Sequence, residues 1–411
     1  MLRARKQRQL APGKNASVGD TSAPMHLPAP VRRDFFTVTI SVAILGIGWG
    51  ATLPLTSLLL TQRGHGTDII GWISVATALG GVAGTLLTPT IAARLGRRNT
   101  MLACLLLAMA SLVPLDAIDA LPGWAALRFL FGLSMAPFFV LGESWINEIA
   151  PDALRGRLVA VYTTTFTLCQ IVGPLLANVL IDLTGYAFVL CGLVFALGAP
   201  GLLAGRTDVL PSQQATAAQG KEAQAGWFSI ARTAPAILVG TVFFAAFDHI
   251  ALSFLPLFAM DQGLSQSRAL ASASIVLAGD ACLQYLAGHL ADRYGRLRVH
   301  RACGVVVCLM LPLLPLLVNV PWGWEVFLFL LGGAAGAIYT LSMVASGEMF
   351  HGAALVRAAS LISLMWNVGA SAVPLGTGTA MHVWGSAAVV WLVWGVALVF
   401  VASTFVRARP R

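Results

Sequence analysis

Three ionisable residues interrupt long apolar stretches in the second half of the chain. Asp248 and His249 are adjacent, and Asp280 lies in the apolar stretch that follows. A carboxyl group in apolar surroundings can be held in its neutral form, and a nearby histidine can share its proton. The pattern therefore predicts a protonation switch or a cation site. The alternative is a polar contact that only fixes the packing of helices.

The two adjacent residues cannot both point the same way if this stretch is helical. Successive side chains on an α-helix are separated by about 100°. We therefore expect only one of Asp248 and His249 to face a cavity, and Asp248 and Asp280 are the stronger candidates. A further ionisable residue, Arg128, lies in the first half within the run R-F-L-F-G-L-S-M-A. It could tune the proton or bind an anionic group, or it could snorkel to an interface as a structural residue.

The composition places these charges in a membrane. Of the 411 residues, 57% are hydrophobic and only 10% are charged, whereas a soluble domain carries about 25% charged residues. The six cysteines lie in apolar segments without a C-x-x-C pair, so we interpret them as packing residues. The net charge of +9 is spread between hydrophobic runs rather than along an aromatic stripe, which argues against nucleic acid as a partner.

Twelve segments are long enough to span a bilayer, for which about 20 mostly apolar residues are needed. They are 35–61, 67–93, 99–119, 122–148, 157–182, 185–205, 232–260, 266–292, 299–319, 322–347, 357–382 and 384–406. Turn residues such as Gly64, Pro122 and Gly323 fall between them. The predicted fold is therefore an all-α membrane protein with twelve transmembrane helices.

These segments divide into two groups of six. The longest polar gap, 206–231, predicts a cytoplasmic linker between an N-terminal six-helix bundle, 34–205, and a C-terminal six-helix bundle, 232–406. Residues 1–33 predict a disordered cytoplasmic tail rather than a cleaved signal peptide, because they are basic and polar without an apolar core. Residues 407–411 predict a second cytoplasmic tail.

The basic residues predict the orientation. All but three of the 26 lysines and arginines lie in the tails, the linker and the loops on one side of the predicted membrane; the exceptions are Arg63, Arg128 and Arg268. Loops rich in lysine and arginine remain in the cytoplasm. We therefore expect a multi-pass protein of the cytoplasmic (inner) membrane with both termini in the cytoplasm.

A charged turn follows the eighth predicted helix. Residues 288–296 read G-x-x-x-D-R-x-G-R, and residues 89–98 keep only the R-x-G-R-R part of the same pattern. This resembles the signature loop of the major facilitator superfamily, which lies between helices 2 and 3 and again between helices 8 and 9. Two copies separated by about 200 residues imply a duplicated membrane protein.

The resemblance covers about residues 34–406 and is closest to the bacterial YcaD-like branch. It rests also on the run from Arg128 through Gly132 to Glu143, and on the small residues from Gly333 to Gly336. It implies two six-helix bundles around a central cavity that opens alternately to each side. In the family, the helix-4 arginine that Arg128 matches is linked to proton coupling or substrate binding.

Charged residues at the cytoplasmic ends of the predicted helices form a second group. Glu148, Pro151 and Arg155-Gly156 match the E-x-x-P-x-x-x-R-G signature of sugar porters and many relatives. In those proteins such residues form salt bridges that latch the outward-facing state, so the resemblance implies a cytoplasmic gate. Anchoring to lipid headgroups is the alternative. The gate candidates are Arg94, Arg97, Arg98, Glu143, Glu148, Arg155, Arg157, Asp292, Arg293, Arg296, Glu348 and Arg357.

Polar residues of the fifth and eleventh segments could face the same cavity. Gln170 lies in a run, from Cys169 to Pro174, that partly resembles the helix-5 motif of drug–proton antiporters. Trp366 and Asn367 are the candidates in the eleventh segment. Helix packing is the alternative role for such polar positions.

The leading interpretation is a secondary active transporter that moves a small organic solute by alternating access, coupled to protons through Asp248 or Asp280. Export is favoured slightly over import. The alternatives are an uncoupled facilitator, a solute importer, a transition-metal importer and a membrane sensor that does not transport. We expect no cofactor, no resident metal and no enzyme activity, because the sequence contains no catalytic constellation and no nucleotide cradle. The expected partners are the solute, a proton and the lipid bilayer, and the expected state is a monomer.

Overall fold

A computed structural model describes residues 29–150, 154–183, 185–204, 232–350 and 353–406, and all regular secondary structure in these ranges is helical. The first six helices are α1 (Ala29–Gln62), α2 (Thr67–Leu95), α3 (Arg97–Leu112), α4 (Leu121–Ile149), α5 (Arg155–Ile181) and α6, in two pieces (Ala187–Ala196 and Ala199–Ala204). The second six are α7, in two pieces (Pro235–Ser253 and Leu255–Asp261), α8 (Gln266–Tyr294), α9 (Arg296–Met310), α10 (Gly323–Met349), α11 (Ala353–Trp384) and α12 (Ala388–Ser403).

These helices correspond one to one with the twelve predicted segments. Within the described ranges, ten are long and apolar enough to cross a membrane, and α6 and α12 belong to shorter apolar helical stretches, Ala187–Leu203 and Ala388–Ser403. The all-α prediction is therefore confirmed. The predicted linker, 206–231, and most of the predicted N-terminal tail, 1–33, lie outside the described residues.

Several segments that were predicted as continuous helices are interrupted next to prolines. The α7 helix breaks at Phe254, two residues before Pro256, and the α9 helix passes into a 3₁₀ turn, Leu311–Leu313, that contains Pro312. Proline lacks the backbone N–H that continues an α-helix, and its ring disfavours the helical conformation of the residue before it. The sequence prediction placed the spans correctly but missed these breaks.

Glycines bring the backbones of α2 and α4 into direct contact. A methyl group added to Gly80 would overlap the carbonyl oxygen of Phe129, and one added to Gly132 would overlap the carbonyl oxygen of Thr77. Small residues allow this close approach because no side chain separates the helices. The contact fixes α2 against α4 along their middle turns.

The second half repeats this contact between α8 and α10. An added methyl group at Gly279 would overlap the carbonyl oxygen of Phe329, and one at Gly332 would overlap that of Val276. These positions follow those of the first half by about 200 residues. The repeat extends to the turns, because Gly96 (φ 78°) joins α2 to α3 and Gly295 (φ 92°) joins α8 to α9.

Alanine at Gly132 or Gly332 is expected to lower the Tm of the purified protein by several degrees, because overpacking a close contact costs about 1–3 kcal/mol. Gly376→Ala on α11 is the matched control, since an added methyl group there meets no atom within 4 Å. Differential scanning fluorimetry of the three variants measures the effect. An unchanged Tm for both packed variants would show that the backbones are not in contact.

Candidate functional site

The two halves meet at the end of the bundle that carries the turn after α1. There, Thr67 on α2 donates a hydrogen bond from Oγ1 to the carbonyl oxygen of Gly378 on α11, at 2.8 Å. One residue further on, the carboxylate of Asp68 lies 3.5 Å from Nδ1 of His382. The two halves are therefore joined along α2 and α11 at this end.

An apolar cluster lies deeper along the same interface. Ser274 on α8 donates from Oγ to the carbonyl oxygen of Ile171 on α5, at 2.7 Å. The cluster around this contact has four buried members, Leu53, Leu252, Ala273 and Leu277, with Trp49 and Ile171 packed against them. Because its members come from both halves, this cluster joins the halves between the turn after α1 and the middle of the bundle.

Asp248 lies on α7, one turn before Leu252 of this cluster. Its side chain is buried, with 7% of the residue surface exposed. The amide of Gln170 on α5 donates to Oδ1 of Asp248 at 3.4 Å. Gln170 and Asp248 belong to different halves, so the predicted proton site contacts both halves.

His249, the next residue on α7, contacts α1 of the first half rather than α5. Its Nδ1 lies 3.0 Å from the carbonyl oxygen of Ala245, one turn earlier on α7. The edge of its ring packs on Trp49 of α1, with ring centroids 5.9 Å apart. Asp248 and His249 thus both contact the first half, Asp248 through α5 and His249 through α1. The expectation that only one of them faces a cavity stays a prediction.

Asp280 lies in the middle of α8 and is 6% exposed. Nε2 of Gln284 donates to its Oδ1 at 2.6 Å. The carboxyl group sits directly over Gly336 on α10, where an added methyl group would overlap Oδ1. Leu252, one turn after Asp248, and Leu277, one turn before Asp280, pack in the same apolar cluster. The structure thus brings the two predicted carboxyl groups to one region.

Arg128 is buried inside the first half rather than snorkelling to an interface. Only 1% of its surface is exposed, and its guanidinium lies 4.9 Å from the ring centroid of Phe131. Among the described residues, Nε and Nη1 have no hydrogen-bond partner. Arg128 is within electrostatic range of His249, and Phe131 stacks on Trp49 at 6.0 Å. The ring of Phe131 therefore lies between the guanidinium and Trp49, which contacts the second half.

The two candidates on α11 have different surroundings. Trp366 packs against Tyr339 of α10, with centroids 5.2 Å apart. Asn367 donates to the carbonyl oxygen of Ser363 on its own helix at 2.9 Å, and its Oδ1 faces Gly81 of α2. Trp366 thus belongs to an aromatic group of the second half, whereas Asn367 contributes to the contact between α2 and α11.

Five of the gate candidates form ion pairs with a partner in the same half. Arg97, only 1% exposed, binds the carboxylate of Glu148 at 2.6 Å, which joins the start of α3 to the end of α4. In the second half, Arg296 pairs with Glu348 and lies 3.7 Å from Asp292. These pairs occupy equivalent places in the repeat. They brace the ends of the helices and, in this conformation, join helices of the same half.

The other gate candidates have varied surroundings. Arg98 donates to the carbonyl oxygen of Leu203 at 3.0 Å, and Arg293 lies over Tyr294 at 5.3 Å. Arg94 and Glu143 are exposed, and Arg357 is half-buried. The side chains of Arg155 and Arg157 lie outside the described residues.

Twelve helices in two repeated halves, with ionisable side chains buried where the halves meet, define a multi-pass membrane transporter. The chain belongs to the Major Facilitator Superfamily, whose family model matches residues 38–279 and 272–411.

Relatives of the chain are themselves described as transporters of this superfamily. An uncharacterized MFS-type transporter of Enterobacter sp. (strain 638) is 27% identical over 348 residues, which cover 84% of this chain and 86% of that one. The uncharacterized MFS-type transporter YcaD of Escherichia fergusonii is 26% identical over 382 residues, 90% of this chain and 93% of that one. The resemblance to the YcaD-like branch is confirmed.

Solved structures share the fold at low sequence identity. A D-xylose–proton symporter superposes with a TM-score of 0.76 at 15% identity, covering 93% of this chain and 98% of that one. A bacterial homologue of the human lysosomal transporter Spinster, in an inward-facing and unoccupied conformation, superposes with a TM-score of 0.67 at 16% identity, covering 93% and 96%. At this identity the likeness concerns the fold alone.

Proposed function

We propose that this transporter is a proton-coupled secondary carrier of a small organic solute, working in the cytoplasmic membrane as a monomer. The observation that carries the proposal is the buried contact between Asp248 and Gln170. A coupling proton must change the free-energy difference between the two conformations of the carrier. A carboxyl group that is bonded across the interface meets this requirement, because its protonation alters the contact that joins the halves.

Asp280 supports the same role from the second half. It is buried, accepts a hydrogen bond from Gln284 and lies in the same region as Asp248. Two carboxyl groups that interact influence each other's ionisation, so a proton taken up by one favours the charged form of the other. The pair is the proposed proton acceptor, and Arg128 and His249 are the positive and titratable groups that tune it.

The conformation fits one step of an alternating-access cycle. Among the described residues, the contacts between the halves set out above lie between the middle of the bundle and the turn after α1. The basic loops lie at the opposite end, and such loops favour the cytoplasm. On this proposal, both termini lie in the cytoplasm and the conformation is inward-facing.

The ion pairs at the basic end are proposed to form the cytoplasmic gate. Arg97 with Glu148 and Arg296 with Glu348 brace the two halves separately in the inward-facing conformation. In the outward-facing state, the neighbouring charged candidates would close the gap between the halves. The direction of transport is proposed to be export, on the partial helix-5 motif around Gln170.

A solute screen followed by a flux assay tests the function. Purified protein is screened by thermal shift at acidic and at near-neutral pH, since a ligand of the folded state raises the Tm. Solutes that bind are then assayed in proteoliposomes, where we expect movement against their own gradient only while a pH gradient is imposed. Flux that is unaffected by a protonophore would instead identify an uncoupled facilitator.

A further inference from the structure

We propose that the solute is an organic cation with an apolar or aromatic body, held between the two halves by carboxyl groups and aromatic side chains. The inference rests on the proposed transport function and assigns the chemical class of its cargo.

The second half contributes a group of three aromatic side chains near the carboxyl groups. Phe244 of α7 stacks on Tyr339 of α10, with centroids 5.1 Å apart and ring planes 15° apart. Trp366 of α11 lies 5.2 Å from Tyr339 at 62°. Tyr339 and Trp366 are half-buried. The face of an aromatic ring attracts a cation within about 6 Å of its centroid.

The first half contributes a second aromatic group at the interface. Trp49 of α1 meets Phe139 of α4 edge to face at 6.5 Å, and Phe139 meets Phe166 of α5 at 5.0 Å. All three side chains are half-buried. Trp49 also carries the contact to His249 across the interface. The region between the halves therefore has aromatic groups on both sides.

The aromatic groups and the carboxyl groups adjoin each other. Asp280 sits over Gly336, three residues before Tyr339 on α10. On α7, Phe244 lies one turn before Asp248. Residues three or four positions apart on a helix are neighbours on one face. A cation in this region would meet carboxylates and ring faces together.

The balance of charge favours a cation over an anion. Two buried carboxyl groups, Asp248 and Asp280, lie in this region, and one guanidinium, Arg128, lies behind Phe131. When the proposed coupling proton has left, both carboxyl groups are charged and Arg128 compensates at most one of them. An anionic solute would add to the negative excess, and a neutral solute would leave it uncompensated. A cation reduces it, in an environment where charges interact strongly.

Three probes with the same ring and different charges test the inference. Binding of benzyltrimethylammonium, benzoate and benzyl alcohol to the purified full-length protein is measured by isothermal titration calorimetry. We expect saturable binding of the cation, at least about tenfold tighter than binding of the other two. Asp248→Asn and Asp280→Asn should each weaken cation binding about tenfold, and Trp366→Ala about fivefold. Trp391→Ala, an exposed tryptophan of α12, should leave the affinity unchanged.

Two outcomes overturn the inference. One is tighter or equal binding of benzoate or benzyl alcohol, and the other is no saturable binding of the cation to protein that a thermal melt shows to be folded. In either case, pH-gradient-driven flux of a solute of another class would leave the proposed function intact. Conversely, cation binding without proton-coupled flux would contradict the proposed function while preserving the site.

Discussion

Replacing Asp280 with asparagine is expected to reduce pH-gradient-driven transport to the level of protein-free vesicles while leaving the protein folded. The amide has nearly the same shape as the carboxyl group, so it fits over Gly336 and can still bond to Gln284. The amide cannot take up or release a proton in the pH range of the transport assay. Asp248→Asn should have the same effect, because the amide keeps its place beside Gln170 but carries no titratable proton.

The measurement is flux in proteoliposomes with and without an imposed pH gradient. Asp119→Asn is the matched control, since this aspartate has 93% of its side chain exposed and should transport as the unmodified protein does. Exchange of solute between equal concentrations at uniform pH should survive in the two asparagine variants. Full gradient-driven transport by both variants would show that neither carboxyl group carries the coupling proton.

Alanine at Gly336 is expected to produce a loss of transport of at least about tenfold, equivalent to roughly 1.4 kcal/mol. The added methyl group would occupy the place of the Asp280 carboxyl oxygen. The carboxyl group would have to turn away, which breaks its bond to Gln284 and moves the proton site. Gly347→Ala on the same helix is the control, because an added methyl group there meets no atom within 4 Å.

A second variant separates displacement of the carboxyl group from general damage to the helix contact. In an Asp280→Ala background no carboxyl group remains to be displaced. Gly336→Ala should therefore lower the Tm in the unmodified protein and lower it by less in that background, because the two effects are coupled rather than additive. Equal losses of Tm in both backgrounds would assign the effect to the backbone of α10 instead.

The spans were predictable because membrane insertion depends on length and apolar content. Each of the twelve segments drawn from the sequence corresponds to a helix of the structure, and the turns at Gly96 and Gly295 coincide with the two loop motifs. The breaks near Pro256 and Pro312 could have been read from proline alone. The close approach of α2 to α4 at Gly80 and Gly132 could not, because many glycines in membrane helices have no such partner.

The site was predictable only in part. Asp248, Asp280 and Arg128 stood out because charge within an apolar run is rare. Gly336 and Gln284 did not, since their importance depends on which helix faces Asp280. The aromatic residues around the site, such as Trp49 and Tyr339, gave no signal because aromatic residues are common throughout these helices. The contact of His249 with Trp49 gave no signal either, since the sequence does not show which helices of the first half cover α7.

The glycine contacts of α2 with α4 and of α8 with α10 have a mechanical consequence. Backbones in direct contact leave no layer of side chains that could slide, so these pairs resist shear. In the alternating-access cycle proposed above, each half would turn as one rigid lever about the contact between Gln170 and Asp248. A small rotation there would be amplified along the length of the helices. Opening one mouth of the protein and closing the other would then be a single motion.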